Sequence, residues 1–143
     1  MGTKRALAGG AAGAAVLTVL HQALRRSTAQ APKMDVLGAQ AIAKSMWMAG
    51  VEPPAGDRLY RTALAGDLAS NTLFYSIAGL TKRPVLAGTL LGLAAGAGAV
   101  LLPGPLGLDR DASAASRTTA ALTMALYTAG GLAAGLTARS LKG

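Results

Sequence analysis

Four long, nearly charge-free runs constrain this chain more than any other feature, because in 143 residues they leave little sequence for a water-soluble body. They are Ala6 to Leu24, Thr62 to Thr81 (broken only by Asp67), Pro84 to Leu108 and Thr118 to Ala138. Each matches the roughly 20 residues with which an α-helix crosses the hydrocarbon layer of a bilayer. The expected fold class is an all-α integral membrane protein, a four-transmembrane-helix bundle with helices at about 6–24, 62–81, 84–102 and 118–138. These helices form one membrane domain over residues 1–143.

The alternatives to helix fail on composition. Aromatic residues make up 3% of the chain, too few for the girdles of a transmembrane barrel, and apolar and polar residues do not alternate as barrel strands require. Nineteen glycines would damage soluble helices, but in lipid small residues let helix backbones approach closely. There is no cysteine, hence no disulfide and no thiolate metal site.

The formal charge of +8 raises the question of nucleic acid, and its distribution answers it. Lys4 and Arg5, Arg25 and Arg26, Lys82 and Arg83, and Arg139 with Lys142 sit at the edges of the apolar runs, where cations anchor helix ends near lipid headgroups. No basic patch interleaved with stacking aromatics is present, so nucleic acid is not an expected partner.

The first run, with Lys4 and Arg5 before it and Ala29-Gln30-Ala31 after it, loosely resembles a secretory signal peptide. Arg25 and Arg26 interrupt that pattern and Pro32 would follow the cut, so the segment is expected to remain as a helix. The connection from Arg25 to Arg61 carries Met34, Val36, Leu37, Ile42, Ala43, Met46 and Trp47 against Lys33, Gln40 and Lys44. That mixture predicts a short amphipathic helix over about 34–49 between the first two spans. It either lies in the interface, with Trp47 and Lys44 as anchors, or packs on the end of the bundle. Pro53 and Pro54 stop it, with Gly56 completing the turn.

Thr81-Lys82-Arg83-Pro84 is so short that the second and third spans are expected to be antiparallel neighbours. Residues Asp109 to Arg117, rich in Ala, Ser and charge, form the remaining connector. An even number of spans places both termini on one side. There, Lys4, Arg5, Lys82, Arg83, Arg139 and Lys142 face no acid, which points to the cytoplasm. A weak echo pairs Lys4-Arg5 and Leu7-Ala8-Gly9 with Lys82-Arg83 and Leu86-Ala87-Gly88. Another pairs the segment from Tyr75 with that from Tyr127, as two tandem hairpins would.

Two sets of residues are candidates for function. Asp67 is the one carboxyl within a span, and an acid there is costly enough to imply a role. Ser70 and Asn71 share its helix face, and antiparallel spans bring His21 and Thr123 to the same depth. The quiet reading of this polar cluster is interhelical hydrogen bonding, with Asp67 paired to Arg25, Arg26 or His21. The active reading is a titrating acid in a transport path. The second set is the glycines at four-residue spacing, Gly9 and Gly13, Gly88, Gly92 and Gly96, and Gly131 and Gly135. They suit close packing against a neighbour in the chain or in another protomer.

Enzyme signatures are missing. Gly-x-Ser-x-Gly, His-Glu-x-x-His and the phosphate-binding loop do not occur, and a single histidine limits metal ligation, so neither a metal nor a cofactor is expected. The resulting expectation is a small polytopic protein of a bacterial inner membrane. It acts as a structural or accessory subunit, or assembles with itself through its glycine faces, and its partners are the lipid bilayer and other membrane subunits or further copies. The alternatives are a minimal transporter or channel with a polar site around Asp67, and a membrane-embedded lipid-modifying enzyme.

Overall fold

The structure, a computed structural model, describes residues 2–143, and among them no strand occurs. The helices are α1 (Gly2–Ser27), α2 (Met34–Met48), α3 (Gly56–Gly79), α4 (Pro84–Leu101), α5 (Asp111–Ala114) and α6 (Arg117–Ser140). Local chemistry sets several ends. Pro84 opens α4, where its missing N–H costs nothing, and the Ser116 hydroxyl caps α6 by accepting from the Thr119 amide at 3.1 Å. Gly50 and Gly56 take φ of 74° and 60°, a conformation that glycine adopts without strain, on either side of the Pro53-Pro54 break.

Three helices, α1, α4 and α6, are long and apolar enough to cross a membrane. The 24-residue α3 is long enough as well, but Asp67, Ser70 and Asn71 interrupt its middle and lower its hydropathy below that of the others. Apart from Tyr75, Leu17 and Leu126, the apolar residues enclosed between the long helices are small. Ala14, Ala78, Ala134 and Ala138 are almost wholly enclosed, while Leu73, Ile77, Leu86, Leu90, Leu132 and Leu136 point outward. A soluble protein places its large apolar side chains inside, since burial stabilises by about 25 cal/mol per Å² of apolar surface. The opposite distribution is compatible with an integral membrane protein, whose helices associate by close packing because lipid is as apolar as leucine.

The helix α6 is the hub. On one side it meets α1: a Cβ on Gly9 would stand 2.8 Å from the Ala134 carbonyl oxygen, and one on Gly13 2.6 Å from that of Gly130. On the other side it meets α4, where Gly88 and Gly131 are so close that a methyl on either would strike the other's carbonyl. Gly92 lies against Tyr127 and Thr128, Gly96 against Met124, and Gly135 against Pro84 and Val85. All these contacts run antiparallel. The helix α3 packs along α1, with Gly79 against Ala6 and Gly10 against Thr72 and Ser76, and also reaches α6 through Tyr75 beside Gly130. The Arg5 guanidinium closes that end by donating to the Gly79 carbonyl at 2.7 Å, satisfying a backbone group that the helix terminus leaves open.

The connections carry two details that loop length and composition do not settle. The α3–α4 turn is short, yet the two helices touch far less than either α1 with α3 or α4 with α6. The glycines of α4 face α6, so the chain is organised as two hairpins, α1/α3 and α4/α6, that meet through α6. The connector after α4 is also not an ordinary surface loop. It contains α5, whose Ala112 and Ser113 are buried, with the Ser113 hydroxyl donating to the Ala99 carbonyl at 2.6 Å.

Candidate functional site

Because α3 and α4 diverge, a groove of about 540 Å³ opens between them, roofed at one end by α2 and the segment 102–108. One wall is the small-residue face of α4, made of Ala94, Ala95, Gly98 and Ala99, and the other is the α3 face bearing Asp67, Asn71 and Phe74. Gly98 is the spare glycine of α4, since a Cβ there would meet only the Leu102 side chain, at 3.5 Å. The groove is therefore mostly apolar, with polar groups confined to one turn of α3.

Behind that turn lies a second space, a chamber of about 30 Å³ between α1, α2 and α3. His21, Asp35, Tyr60 and Asp67 contribute to its lining. Asp67 and Tyr127 border both spaces, so the carboxyl stands in the partition between an open groove and a small chamber, both mostly apolar. The roof is held by polar contacts. Lys44 donates to the Leu106 carbonyl, and the Asp109 amide donates to the Gln40 side chain at 2.9 Å.

The structure separates the residues singled out from the sequence into distinct settings. Asp67 and Asn71 are one turn apart on the groove wall, and the Asn71 amide nitrogen is buried with no partner in good hydrogen-bond geometry. Ser70 turns back to its own helix, donating to the Asp67 carbonyl at 3.2 Å, and is exposed. His21 shares the chamber with Asp67, but its Nε2 lies 2.8 Å from the Pro32 carbonyl oxygen. The Met34 amide nitrogen lies 3.4 Å from the same Nε2, so through either partner the ring ties α1 to the segment that opens α2.

Thr123 lies elsewhere. Its hydroxyl is fully buried between α5 and α6, 2.8 Å from the Ser113 carbonyl and 3.0 Å from that of Thr119. Arg25 pairs with Asp35 at 3.3 Å instead of with Asp67. Trp47 is 64% exposed at the end of α2, and Lys44 is committed to the roof. Gly9, Gly13, Gly88, Gly92, Gly96, Gly131 and Gly135 are all occupied by contacts within the chain.

Sequence reasoning passed over the tyrosines. Tyr75 is entirely buried and its hydroxyl donates to the Tyr127 carbonyl at 2.7 Å, joining α3 to α6. Tyr60 meets Gln22 at 3.5 Å beside the chamber. Their signal was scarcity, because three tyrosines in a chain of small residues mark the few places where bulk is needed.

Chemically, the groove offers apolar contact along its length and a hydrogen-bonding turn at one point of its wall. Among the described residues no three His, Asp or Glu side chains converge as metal ligands would. Comparison with protein-family models, curated proteins and solved structures finds no match, so the functional reading rests on this chain's own geometry.

Proposed function

We propose that this is a small polytopic protein of a bacterial inner membrane in which α1, α3, α4 and α6 all cross the bilayer, with both termini in the cytoplasm and α2 in the opposite interface. Its role is that of a structural or accessory subunit whose α3–α4 groove receives an apolar helix of another membrane protein. The carrying observation is that the glycine faces are used up inside the chain while the groove keeps a spare small-residue wall. Such a wall permits close backbone approach by a helix, which a lipid tail does not need. The buried Asn71 amide supports the same occupant, since its nitrogen has only the poorly aligned Asp67 carboxyl beside it and a partner helix can supply a better-placed acceptor. Self-association through the glycines is the weaker form of this reading, because α1, α4 and α6 already fill one another's glycine faces.

Crossing number is tested by single cysteines at the exposed positions Thr3, Lys82 and Lys142, expected to label from one side of sealed vesicles, and at Asp57 and Arg110, expected to label from the other. Occupancy of the groove is tested by photo-crosslinkers at Ala95 and Ser70 in native membranes. A discrete protein adduct from both positions, absent from the outward-facing Leu132, is the expected result. Adducts with lipid alone from all three positions would reject the subunit reading.

A second reading, a minimal transporter, draws on the position of Asp67 between two spaces, one of which also receives His21. An acid so placed can exchange a proton between them. Loss of a pH-driven flux in proteoliposomes on Asp67→Asn, with unchanged melting, would move the assignment to that reading.

A further inference from the structure

At the end of the molecule opposite the groove, the α3–α4 turn and the last turn of α6 enclose a surface pocket of about 320 Å³. Its polar lining is Lys82, Arg83, Arg139 and Lys142, and Pro84, Val85 and Leu86 complete it. Four cations from two distant parts of the chain thus meet around one recess. Their grouping is fixed by the fold, since the Gly135 contact with Pro84 and Val85 docks α6 beside the start of α4. Lys142 reaches across to donate to the Lys82 carbonyl at 3.2 Å.

None of the four has an acidic partner. The ion pair found among the described residues, Arg25 with Asp35, lies at the other end of the molecule. Like charges gathered in a recess without a counter-ion repel one another, and an anion entering it removes that penalty. Surface lysines on an ordinary helix end spread into water, whereas these converge on a shared space.

We propose that this pocket binds the phosphate headgroup of an anionic membrane phospholipid. The lipid, as opposed to a free anion, is indicated by what borders the recess. Leu86 is half exposed at its edge, and Leu80 and Leu141 stand outward at the same end of the molecule. Apolar side chains below a cluster of cations match a phospholipid in outline, headgroup above and acyl chains beside α4 and α6. Basic pockets between membrane helices hold anionic headgroups by this arrangement, each nearby Lys or Arg adding about 1 kcal/mol. The inference rests on α4 and α6 crossing the bilayer, and cysteine labelling at Lys82, Arg110 and Lys142 tests that separately.

The experiment uses the full chain purified in neutral detergent, with lipid retention read by native mass spectrometry and stability by melting. Phosphatidylglycerol should be retained and should raise the melting temperature, whereas phosphatidylcholine with the same acyl chains should do neither. Inorganic phosphate at equal concentration should not reproduce the effect. The triple variant Lys82→Gln, Arg83→Gln, Arg139→Gln should lose affinity for phosphatidylglycerol by roughly 100-fold, as expected for three removed charges. The charge-preserving variant Arg83→Lys, Arg139→Lys and the distant variant Arg58→Gln, Arg61→Gln should each retain it within about threefold. Equal retention of both lipids by the unmodified protein overturns the proposal, and so does a triple variant that binds as well as the parent. A full response to inorganic phosphate would replace the lipid by a free anion. If labelling shows that α4 or α6 does not cross the bilayer, the membrane reading itself fails, whatever the lipid result.

Discussion

The two sides of α4 face their neighbours very differently. Toward α6, Gly88 and Gly131 bring the two backbones into contact, with Gly92, Gly96 and Gly135 continuing the seam. Toward α3, to which α4 is tethered by a short turn, the helices stand apart and leave a groove. Tether length therefore does not decide which helices pack. What decides is whether small residues stand opposite small residues, because dispersion falls off steeply once a gap opens and lipid can replace a loose contact without loss. On the α3 side, Ala94 and Ala95 share the groove with Phe74 and the Asp67–Asn71 turn, which cannot be covered by alanine methyls.

The strongest way to break this comparison is to put bulk into the seam. Gly131→Leu places a side chain where the Gly88 carbonyl and Gly92 amide already stand, and neither is a flexible group that can move away. We expect a loss of about 3 kcal/mol or more, read as a large fall in melting temperature in detergent. Gly98→Leu should cost less than about 1 kcal/mol, since its Cβ would meet only the tip of Leu102. Similar melting of the two variants would show that the α4–α6 seam is not the tight one.

Much of this architecture was legible in the sequence. Continuous apolar runs announce long helices, and the four-residue glycine intervals mark the faces of α1, α4 and α6 that come into contact. The pairing of those faces was not legible, because Gly88 is equally compatible with any small-residue partner until α6 is seen to carry Gly130 and Gly131 on two adjoining faces. The polar cluster was legible only as a depth. His21, Asp67 and Thr123 lie toward the same end, but depth does not fix the direction around a helix axis, and Thr123 turns to the Ser113 carbonyl instead of the chamber. The burial of α5 was hidden by its composition, since Ala112 and Ser113 stand among charges typical of a loop.

A second test sharpens the contrast from the α3 side. Tyr75 is the one large side chain wholly enclosed where α1, α3 and α6 meet, and its hydroxyl is the direct hydrogen bond from α3 to the α6 backbone. Tyr75→Phe removes that bond with little change of volume. The expected loss is about 1 kcal/mol, measured by melting. No loss would mean that packing alone holds α3 in place.

Asp67→Asn should have a smaller effect, below about 1 kcal/mol, because the amide keeps the shape and a hydrogen-bonding oxygen on the groove wall. Asp67→Leu should be worse only if the carboxyl is used within the chain. If the leucine variant melts at or above the parent, the acid contributes nothing to the fold and is free to serve a ligand or a proton.

The smallest expected effect is the most discriminating. Asn71→Leu removes a buried amide whose nitrogen has no well-aligned partner, only the Asp67 carboxyl one turn away, so in the isolated protein it should change stability by less than about 0.5 kcal/mol, or even raise it. Replacing an unsatisfied polar group by an apolar one forfeits no bond. In the native membrane the sign should reverse. If a partner helix supplies the missing acceptor, the crosslinked adduct formed from Ala95 should weaken in Asn71→Leu while the melting of the purified chain does not fall. A large destabilisation of the purified chain would instead place the Asn71 amide in a hydrogen bond within the fold, and the groove wall would lose its claim on a partner.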